Sequence, residues 1–375
     1  MASNSSAATS RWSDIRSYTD YLMLLITLAL FALGVAAIYS ASISMQRGGV
    51  ASPFAARQLL WGIVSAVVYV FILKVSYRSA IKAAVPLFAA TVAVLIVLLA
   101  VGYTSKGAQS WFNLGFFRIQ PSEFGKIVFA IVLAALCTKT PPTDAKGIVV
   151  AVGVSGIMIL LILLQPDLGS ALVYSVMLFA VLIVAGAPVK FLLGLIGCGL
   201  AALPLGWMVL KPYQRLRLMV FIDPTVDPQG AGYNVIQSRI AVGSGGLWGK
   251  GFLQGTQGKL HFLPEPHTDF IFSVFAEEFG FIGSLIVLTL FLLLLWKIVS
   301  TALYTKDPQA KLMCTAISAW LWFQTTESVA MSMGLAPVTG LPLPLFSYGG
   351  SSLLAVAAAL ALVQSVVIVE KEDRF

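Results

Sequence analysis

The chain has 375 residues, of which 58% are hydrophobic and 11% are charged, and its mean hydropathy is +0.91. A water-soluble protein carries charge on about a quarter of its residues, so this composition excludes the soluble globular class and predicts a membrane protein. The net charge of +8 does not indicate nucleic-acid binding, because the basic residues mostly flank apolar segments. That position is typical of residues that set membrane topology.

Apolar segments of membrane-spanning length recur along the whole chain. The first, residues 21–40, is too long for the apolar part of a signal peptide, which runs about 7–15 residues, and we predict that it is an uncleaved span. The segments predict an all-α polytopic fold of about ten spans, at residues 21–40, 54–73, 83–101, 121–137, 147–164, 168–185, 189–210, 270–296, 312–335 and 349–369.

The sequence predicts three regions along the chain. Residues 1–19 begin with a polar stretch and are predicted to be a disordered cytoplasmic tail. Residues 20–370 form a single transmembrane domain, and residues 371–375 are a second, short cytoplasmic tail. Within the transmembrane domain, residues 211–268 form the longest segment between spans, and they connect the seventh span to the eighth.

Lysine and arginine residues are unevenly distributed between alternate loops. If the amino terminus is cytoplasmic, the short outside loops hold four, whereas the inside loops and carboxy-terminal tail hold Lys74, Arg78, Lys82, Lys139, Lys146, Lys190, Lys297, Lys306, Lys311, Lys371 and Arg374. Basic residues concentrate in cytoplasmic loops, so both termini are predicted to be cytoplasmic. The large loop 211–268 is then extracytoplasmic.

Asp269 is the strongest candidate for chemistry. It ends the motif Pro264-Glu265-Pro266-His267-Thr268-Asp269, where the large loop enters the eighth span. Aspartate also favours the N-cap of a helix, and capping and catalysis are not mutually exclusive. Glu277 lies about two turns further, near the same helical face, and acidic residues within a span normally face a cavity.

Two further motifs place polar side chains among apolar segments. Glu123 and Lys126 are spaced i, i+3, so they are predicted to pair, either as a structural ion pair or as a cavity wall where Lys126 meets a phosphate. Asp167 is predicted to cap the sixth span. The proline- and glycine-rich segment 341–352 is predicted to be a re-entrant or gating loop, whose glycine backbone can approach a ligand closely.

Basic residues also stand just outside the seventh span, at Lys211, Arg215 and Arg217. Snorkelling to the membrane surface is one interpretation. Binding of an anionic lipid headgroup or pyrophosphate is the other, because positive charge here runs against the topological bias. On the second interpretation, Arg215→Ala weakens ligand binding. The glycine-rich stretch 243–251 is not a nucleotide-binding fingerprint, so hydrolysis of ATP by this chain is not predicted.

The order of these motifs resembles the SEDS family of bacterial peptidoglycan polymerases, over residues 20–370. Pro266 within its motif favours the elongation-type branch over the division-type branch, which tends to have alanine there. Glu327 is a departure, since it precedes Ser328, where the family often has asparagine. The stretches that carry the resemblance are Ile38–Ser42, Gly107–Trp111, Gln120–Glu123, Gln165–Gly169, Lys211–Arg215, Gly230–Tyr233, Gln237–Ser238, Pro264–Phe272 and Pro337–Ser352.

The resemblance implies a glycosyltransferase that joins lipid II units at the outer face of the cytoplasmic membrane and releases undecaprenyl pyrophosphate. Asp269 matches the essential loop aspartate of the family, and a carboxylate there can act as general base. Glu123 and Lys126 match its polar pair. The other candidate cavity or substrate residues are Lys211, Arg215, His267, Thr268, Glu277, Ser347, Gly349 and Ser351.

The resemblance also implies partners. These are lipid II, the nascent glycan strand, a class B penicillin-binding protein and other elongation-complex proteins, and no nucleic acid. The charge of the pyrophosphate leaving group needs lysine or arginine, or a divalent cation such as Mg²⁺ or Mn²⁺, and no metal ligands are assigned. Two rival functions are a lipid II transporter and a scaffold that only recruits a transpeptidase. A carboxylate at the membrane surface favours chemistry over a transporter's midplane site.

Overall fold

The structure is a computed structural model that describes residues 17–43, 53–105, 108–113, 115, 118–258, 262–263 and 265–373. Residues 1–16 of the predicted tail, residues 374–375, Gly107 and Pro264 lie outside these ranges. Each of the ten predicted segments forms a helix: α1 (Tyr21–Ile43), α2 (Pro53–Val75), α4 (Ala84–Val101), α5 (Pro121–Lys139), α6 (Ala145–Leu164), α7 (Leu168–Val184), α8 (Val189–Val209), α11 (Ile271–Tyr304), α12 (Pro308–Ser332) and α13 (Gly350–Glu372).

Smaller elements connect these helices: α3 (Tyr77–Lys82), α9 (Pro212–Ile222), a 3-10 turn (Pro224–Val226), α10 (Ala231–Ser244) and the strands β1 (Tyr103–Ser105), β2 (Ala108–Asn113) and β3 (Arg118–Ile119). The predicted all-α class is confirmed, except for the three strands, which form a small antiparallel sheet in the order β1-β2-β3. The loop predicted at residues 211–268 contains two helices and the 3-10 turn, because it carries apolar residues at helical spacing.

Eight of the described helices have the length and apolar composition of a membrane span. Of the ten predicted spans, α7 is shorter, at 17 residues, and α12 does not meet the same measure. The integral membrane class is therefore confirmed, whereas a count of ten spans stays a prediction.

The helices pack around α13. In its apolar stretch 89% of the residues are buried, against 6% in α8, which packs mainly against α7. Alanine-rich α13 packs closely against α2 and α5, since small side chains let helix backbones approach. Asp167 caps α7 as predicted, with its carboxylate accepting a hydrogen bond from the Ser170 amide at 3.0 Å. The exposed apolar faces of α2, α4 and α8 suit contact with lipid.

The two ends of the bundle differ in what they carry. The end that holds residues 211–270, together with segments 165–167 and 333–349, is called the loop end here. The opposite end holds residues 76–83, 140–144, 304–308 and 370–373. Polar contacts hold the segments at this end together. Examples are the ion pair between Arg78 and Asp373 at 2.5 Å and the hydrogen bond from the Tyr77 hydroxyl to Asp307 at 2.8 Å.

α11 breaks at Gly280, whose backbone angles are φ 65° and ψ −162°. Residues 245–251, the glycine loop, lie against this break and bind its backbone by four hydrogen bonds, between Lys250 N and Glu277 O (3.0 Å), Gly251 N and Glu278 O (2.9 Å), Phe281 N and Gly246 O (2.9 Å), and Ile282 N and Leu247 O (3.1 Å). Backbone groups freed at membrane depth must find such partners within the protein. The break is therefore stabilised by specific contacts, and these contacts join the glycine loop to α11.

Gly280→Ala is expected to lower the free energy of unfolding by roughly 1–3 kcal/mol, because a side chain is strained at this positive φ. A Cβ added there would also lie 2.3 Å from the backbone nitrogen of Gly249. The midpoint of thermal unfolding in nanodiscs measures the loss. Gly197→Ala on α8 is the matched control, since nothing lies within 4 Å of its added Cβ. Equal midpoints for the two variants would contradict this account of the break.

Candidate active site at the loop end

A cavity of about 420 Å³ opens at the loop end, and Asp269 is part of its wall. It is lined by segments from α9 and α10, from the turn before α11, and from the segment after α12. The lining residues are Arg217, Val220, Gly230, Ala231, Asn234, Glu265, Asp269, Phe270 and Val338. The cavity thus combines carboxylates, an amide and a guanidinium with apolar walls, which is the usual make-up of a small-molecule site.

Asp269 lies just before α11 and is half-buried. The N-cap of α11 is Phe270, without a side-chain cap, so the alternative that Asp269 caps this helix is wrong. Its carboxylate lies close to Gly340, where an added Cβ would be 3.8 Å from Asp269 Oδ2. Asp269 therefore lies between the turn before α11 and the segment after α12, and its carboxylate lines the cavity.

The turn before Asp269 is held by the segment that follows α12. The Ser347 hydroxyl donates to the carbonyl of Thr268 at 2.8 Å, and the Tyr348 amide donates to the carbonyl of His267 at 3.0 Å. The buried His267 ring packs against Phe54 and Tyr348, with ring centroids 4.3 and 5.7 Å away. Three predicted site residues, His267, Thr268 and Ser347, are thus brought together, and these contacts fix the backbone that carries Asp269.

Gly349 and Ser351 continue this support. The fully buried Gln58 donates from Nε2 to the Ser347 carbonyl at 3.1 Å and accepts from the Gly349 amide at 3.3 Å. The Ser351 hydroxyl accepts from the backbone amide of Gln120 at 3.2 Å. Both predicted residues therefore hold the beginning of α13 in place, and neither lines the cavity.

Glu277 does not face the cavity with Asp269. Its carboxylate receives Lys250 Nζ at 2.6 Å, the amide and hydroxyl of Thr256, each at 2.8 Å, and the amide of Gln257 at 3.1 Å. Side-chain and backbone groups from residues 250–257 thus converge on one buried carboxylate. Glu277 therefore anchors the glycine loop and the residues that follow it to α11.

Glu123 and Lys126 form the predicted pair. Lys126 Nζ lies 2.5 Å from Glu123 Oε1, and both side chains are almost fully buried, with 0% and 2% exposed. Lys126 also donates to Gln324 Oε1 at 3.0 Å and lies 5.2 Å from the centre of the Trp320 ring. Gln324 Nε2 in turn donates to the Pro342 carbonyl at 2.8 Å. The pair therefore supports the segment that follows α12 from within the bundle.

The cation at the cavity is Arg217. Its Nη1 donates to the Val338 carbonyl at 3.2 Å, and its guanidinium lies 5.8 Å from the centre of the Tyr213 ring. Arg215, by contrast, donates to the Met208 carbonyl at 2.8 Å, and Lys211 is an exposed N-cap of α9. The structure brings neither of these two predicted residues to the cavity wall. Partial burial raises the pKa of Tyr213, and its hydroxyl donates to the Pro166 carbonyl at 3.3 Å.

Sequence reasoning did not commit to Arg217, Asn234 or Glu265. Arg217 is two positions from Arg215, and helical spacing over Pro212–Ile222 separates the two onto different faces, a signal that is visible once this helix is recognised. Among the described residues, no group of three or more His, Cys, Asp or Glu side chains could hold a metal ion. No described side chain is assigned as a metal ligand.

Similarity to known proteins extends over almost the whole chain. Residues 20–372 match the family described as "Cell cycle protein", which groups FtsW, RodA and SpoVE. The chain is 38% identical over 360 residues to the peptidoglycan glycosyltransferase MrdB of Escherichia coli K12, covering 95% of this chain and 94% of that one. It is 36% identical to a probable peptidoglycan glycosyltransferase FtsW of Tolumonas auensis, with coverages of 95% and 94%.

The fold is also similar to solved structures. One belongs to a peptidoglycan synthase complex that coordinates polymerization and crosslinking, with a TM-score of 0.80, 35% identity and coverage of 95% of this chain and 98% of that one. The fold and site define a polytopic helical membrane protein with a polar cavity at one end. The chain belongs to the FtsW/RodA/SpoVE family, the SEDS family to which its motifs pointed.

Proposed function

We propose that the chain is a peptidoglycan glycosyltransferase of the elongation type, which polymerises lipid II into glycan strands and releases undecaprenyl pyrophosphate. The observation that carries this proposal is the carboxylate of Asp269 in a cavity that also holds the guanidinium of Arg217. A base and a cation in one cavity suit a reaction that takes a proton from one substrate and leaves negative charge on another.

The reaction needs one proton acceptor. The hydroxyl oxygen of the acceptor sugar attacks the anomeric carbon of the donor, and the bond between that carbon and the phosphate oxygen breaks. The electrons of this bond leave with the diphosphate, and the hydroxyl proton passes to the carboxylate of Asp269. Arg217 lies in the same cavity and neutralises charge on the diphosphate.

The cavity is proposed to face the extracytoplasmic side. Supporting this, Lys74, Lys139 and Lys371 stand in the last turns of α2, α5 and α13, which end at the opposite end of the bundle. Basic residues mark the cytoplasmic side. Both termini, with tails at residues 1–19 and 371–375, are then cytoplasmic, and residues 20–370 form one domain.

The proposed partner is a class B penicillin-binding protein, which crosslinks the strands made here, within a larger elongation complex. The similar fold in a complex that couples polymerization and crosslinking supports this partner. Lipid II and the nascent glycan strand are the substrates proposed to meet at the cavity at the loop end.

Incubating the purified chain and a matched class B penicillin-binding protein with lipid II tests the function. Glycan strands resolved by gel electrophoresis are the expected product. Labelled lipid II crossing liposome membranes without any polymer would point to the rival transporter and overturn the proposal. If the partner alone formed polymer equally well, this chain would act as a scaffold and not as the polymerase.

Arg217→Ala is expected to weaken lipid II binding about 10-fold or more, since a charged hydrogen bond of about 1.5–3 kcal/mol is lost. Binding of a fluorescent lipid II to the protein in nanodiscs measures the change. Arg215→Ala is the matched control, because its guanidinium binds the Met208 carbonyl away from the cavity. Weaker binding in the Arg215 variant alone would restore the original prediction for Arg215 and remove the role given to Arg217.

A further inference from the structure

A second cavity lies at the opposite end of the bundle, where the residues before α1 meet the last turns of α11 and α13. Its volume is about 190 Å³, below the range of roughly 300–1,000 Å³ that is usual for drug-sized ligands. It therefore suits a group of a few heavy atoms. The mechanism above does not use it. Hydroxyl groups and two pairs of opposite charges line it, and the charged residues are Asp20, Lys297, Glu370 and Lys371.

One pair of these charges is an ion pair within the protein. Lys297 of α11 pairs with Asp20, and Asp20 Oδ1 also accepts from the backbone amide of Met23 at 3.1 Å. This pair joins the beginning of α1 to α11. Because each of its charges is compensated by the other, it makes the wall polar without giving it a net charge.

The other pair of charges lies in the last turn of α13. Lys371 Nζ donates to the Tyr18 carbonyl at 3.1 Å, and in the part of the chain that the structure describes it forms no ion pair. Glu370 Oε1 accepts from the Thr305 hydroxyl at 2.5 Å and from the Lys306 backbone amide at 2.9 Å. A carboxylate has about four acceptor sites, so Glu370 has the capacity to accept a further hydrogen bond. The wall thus presents an ammonium group and a carboxylate beside each other.

The surroundings of this second cavity suit contact with lipid. Tyr304 lines it and is 74% exposed, and Tyr21, the residue after Asp20, is 60% exposed. Tyrosine is enriched at the level of the lipid headgroups. Leu293 lies one turn before Lys297 on the same face of α11 and is 43% exposed. The acyl chains of a lipid whose headgroup enters the cavity would therefore lie against apolar side chains.

We propose that the second cavity binds the headgroup of a zwitterionic aminophospholipid, with its phosphate at Lys371 and its primary ammonium at Glu370. The two lysines and two carboxylates of the wall sum to zero charge, which matches a headgroup that carries both signs better than an anionic one. Charged hydrogen bonds to both ends of the headgroup fix its orientation. The bound lipid belongs to the cytoplasmic leaflet in the orientation proposed above, and it would hold α13 against α11.

Binding of three phospholipids with the same acyl chains, measured by native mass spectrometry of the full chain, tests this site. Phosphatidylethanolamine is expected to bind about 10-fold more tightly than phosphatidylcholine, whose trimethylammonium cannot donate a hydrogen bond to Glu370. Phosphatidylglycerol, which has no ammonium, is expected to bind as weakly as phosphatidylcholine. Equal binding of phosphatidylethanolamine and phosphatidylcholine, or tightest binding of phosphatidylglycerol, would overturn the proposal.

Two variants locate the site. Glu370→Gln keeps an oxygen acceptor for Thr305 and Lys306, and it is expected to bind phosphatidylethanolamine and phosphatidylcholine equally. Lys371→Met is expected to weaken binding of both about 10-fold, because the phosphate loses a charged donor. Lys139→Met is the matched control, since Lys139 is an exposed lysine at the same end of the bundle and outside the cavity.

A Glu370→Gln variant that keeps the preference for phosphatidylethanolamine contradicts the site, and so does a Lys139→Met variant that binds as weakly as Lys371→Met. Thermal unfolding in lipid-free detergent shows that each variant is folded. Free phosphoethanolamine at the lipid concentration is expected not to compete, because it lacks acyl chains, and full competition would assign the cavity to a soluble ligand instead. Polymerisation is not the readout, so the outcome is independent of the proposed function.

Discussion

Replacing Asp269 by asparagine is expected to lower the rate of lipid II polymerisation about 100- to 10,000-fold, the usual contribution of a general base. Asparagine has nearly the same shape but cannot accept the proton of the acceptor hydroxyl. The contacts of His267, Thr268 and Ser347 that hold the turn do not involve this carboxylate, so the backbone should stay in place. Gel analysis of glycan strands made by the purified complex measures the effect.

Asp223→Asn is the matched control. Asp223 is an exposed carboxylate of the same large loop that caps the 3-10 turn and binds Thr225. That variant is expected to polymerise at the wild-type rate. Glycan formation by Asp269→Asn within a few-fold of the control would exclude the general-base role, provided that both variants unfold at the same temperature and bind the partner.

Lys126→Met is expected to lower the free energy of unfolding by about 3–5 kcal/mol, the largest effect on stability that we predict. The substitution leaves the carboxylate of Glu123 buried with its cation removed, and it removes the donor to Gln324 Oε1. Gln324 holds the Pro342 carbonyl, so the segment behind the cavity loses support as well. Thermal unfolding in nanodiscs gives the change.

The double variant Glu123→Gln with Lys126→Met is expected to regain most of that stability, because neutral side chains of similar size replace both charges. Its activity decides between the two roles that the sequence left open. Polymerisation at near wild-type rate assigns the pair to structure, whereas a stable but inactive double variant assigns Lys126 a contact with the substrate. A single variant as stable as the wild type would contradict the buried ion pair itself.

Much of the fold follows from the sequence because lipid imposes a simple rule. A chain in hydrocarbon must satisfy its backbone within each segment, so a long apolar run is a helix, and all ten predicted runs are helical. The break at Gly280 could not be predicted this way. Glycine in an apolar run is compatible with a continuous helix, and the groups that stabilise the break come from residues 246–251, about thirty positions earlier.

The sequence predicts those site residues whose role follows from their position along the chain. It does not predict contacts between segments that only the fold brings together. Asp269 stands at the junction of loop and helix, which the sequence shows directly. Glu277 was placed on the same face by assuming a helix through both residues, but α11 begins at Ile271 and Glu277 turns to Lys250. Arg215 and Arg217 could be assigned to different faces only once α9 was known.

The union of the glycine loop with α11 has a mechanical consequence. Four backbone hydrogen bonds and the carboxylate of Glu277 join the loop to the helix on either side of Gly280, so the loop cannot lift away as an independent flap. Because the loop is bonded to residues on both sides of Gly280, it braces the break, and the leading turns of α11 cannot bend there independently of the rest of the helix. A partner that binds the glycine loop would therefore contact a unit that reaches past Gly280 into α11.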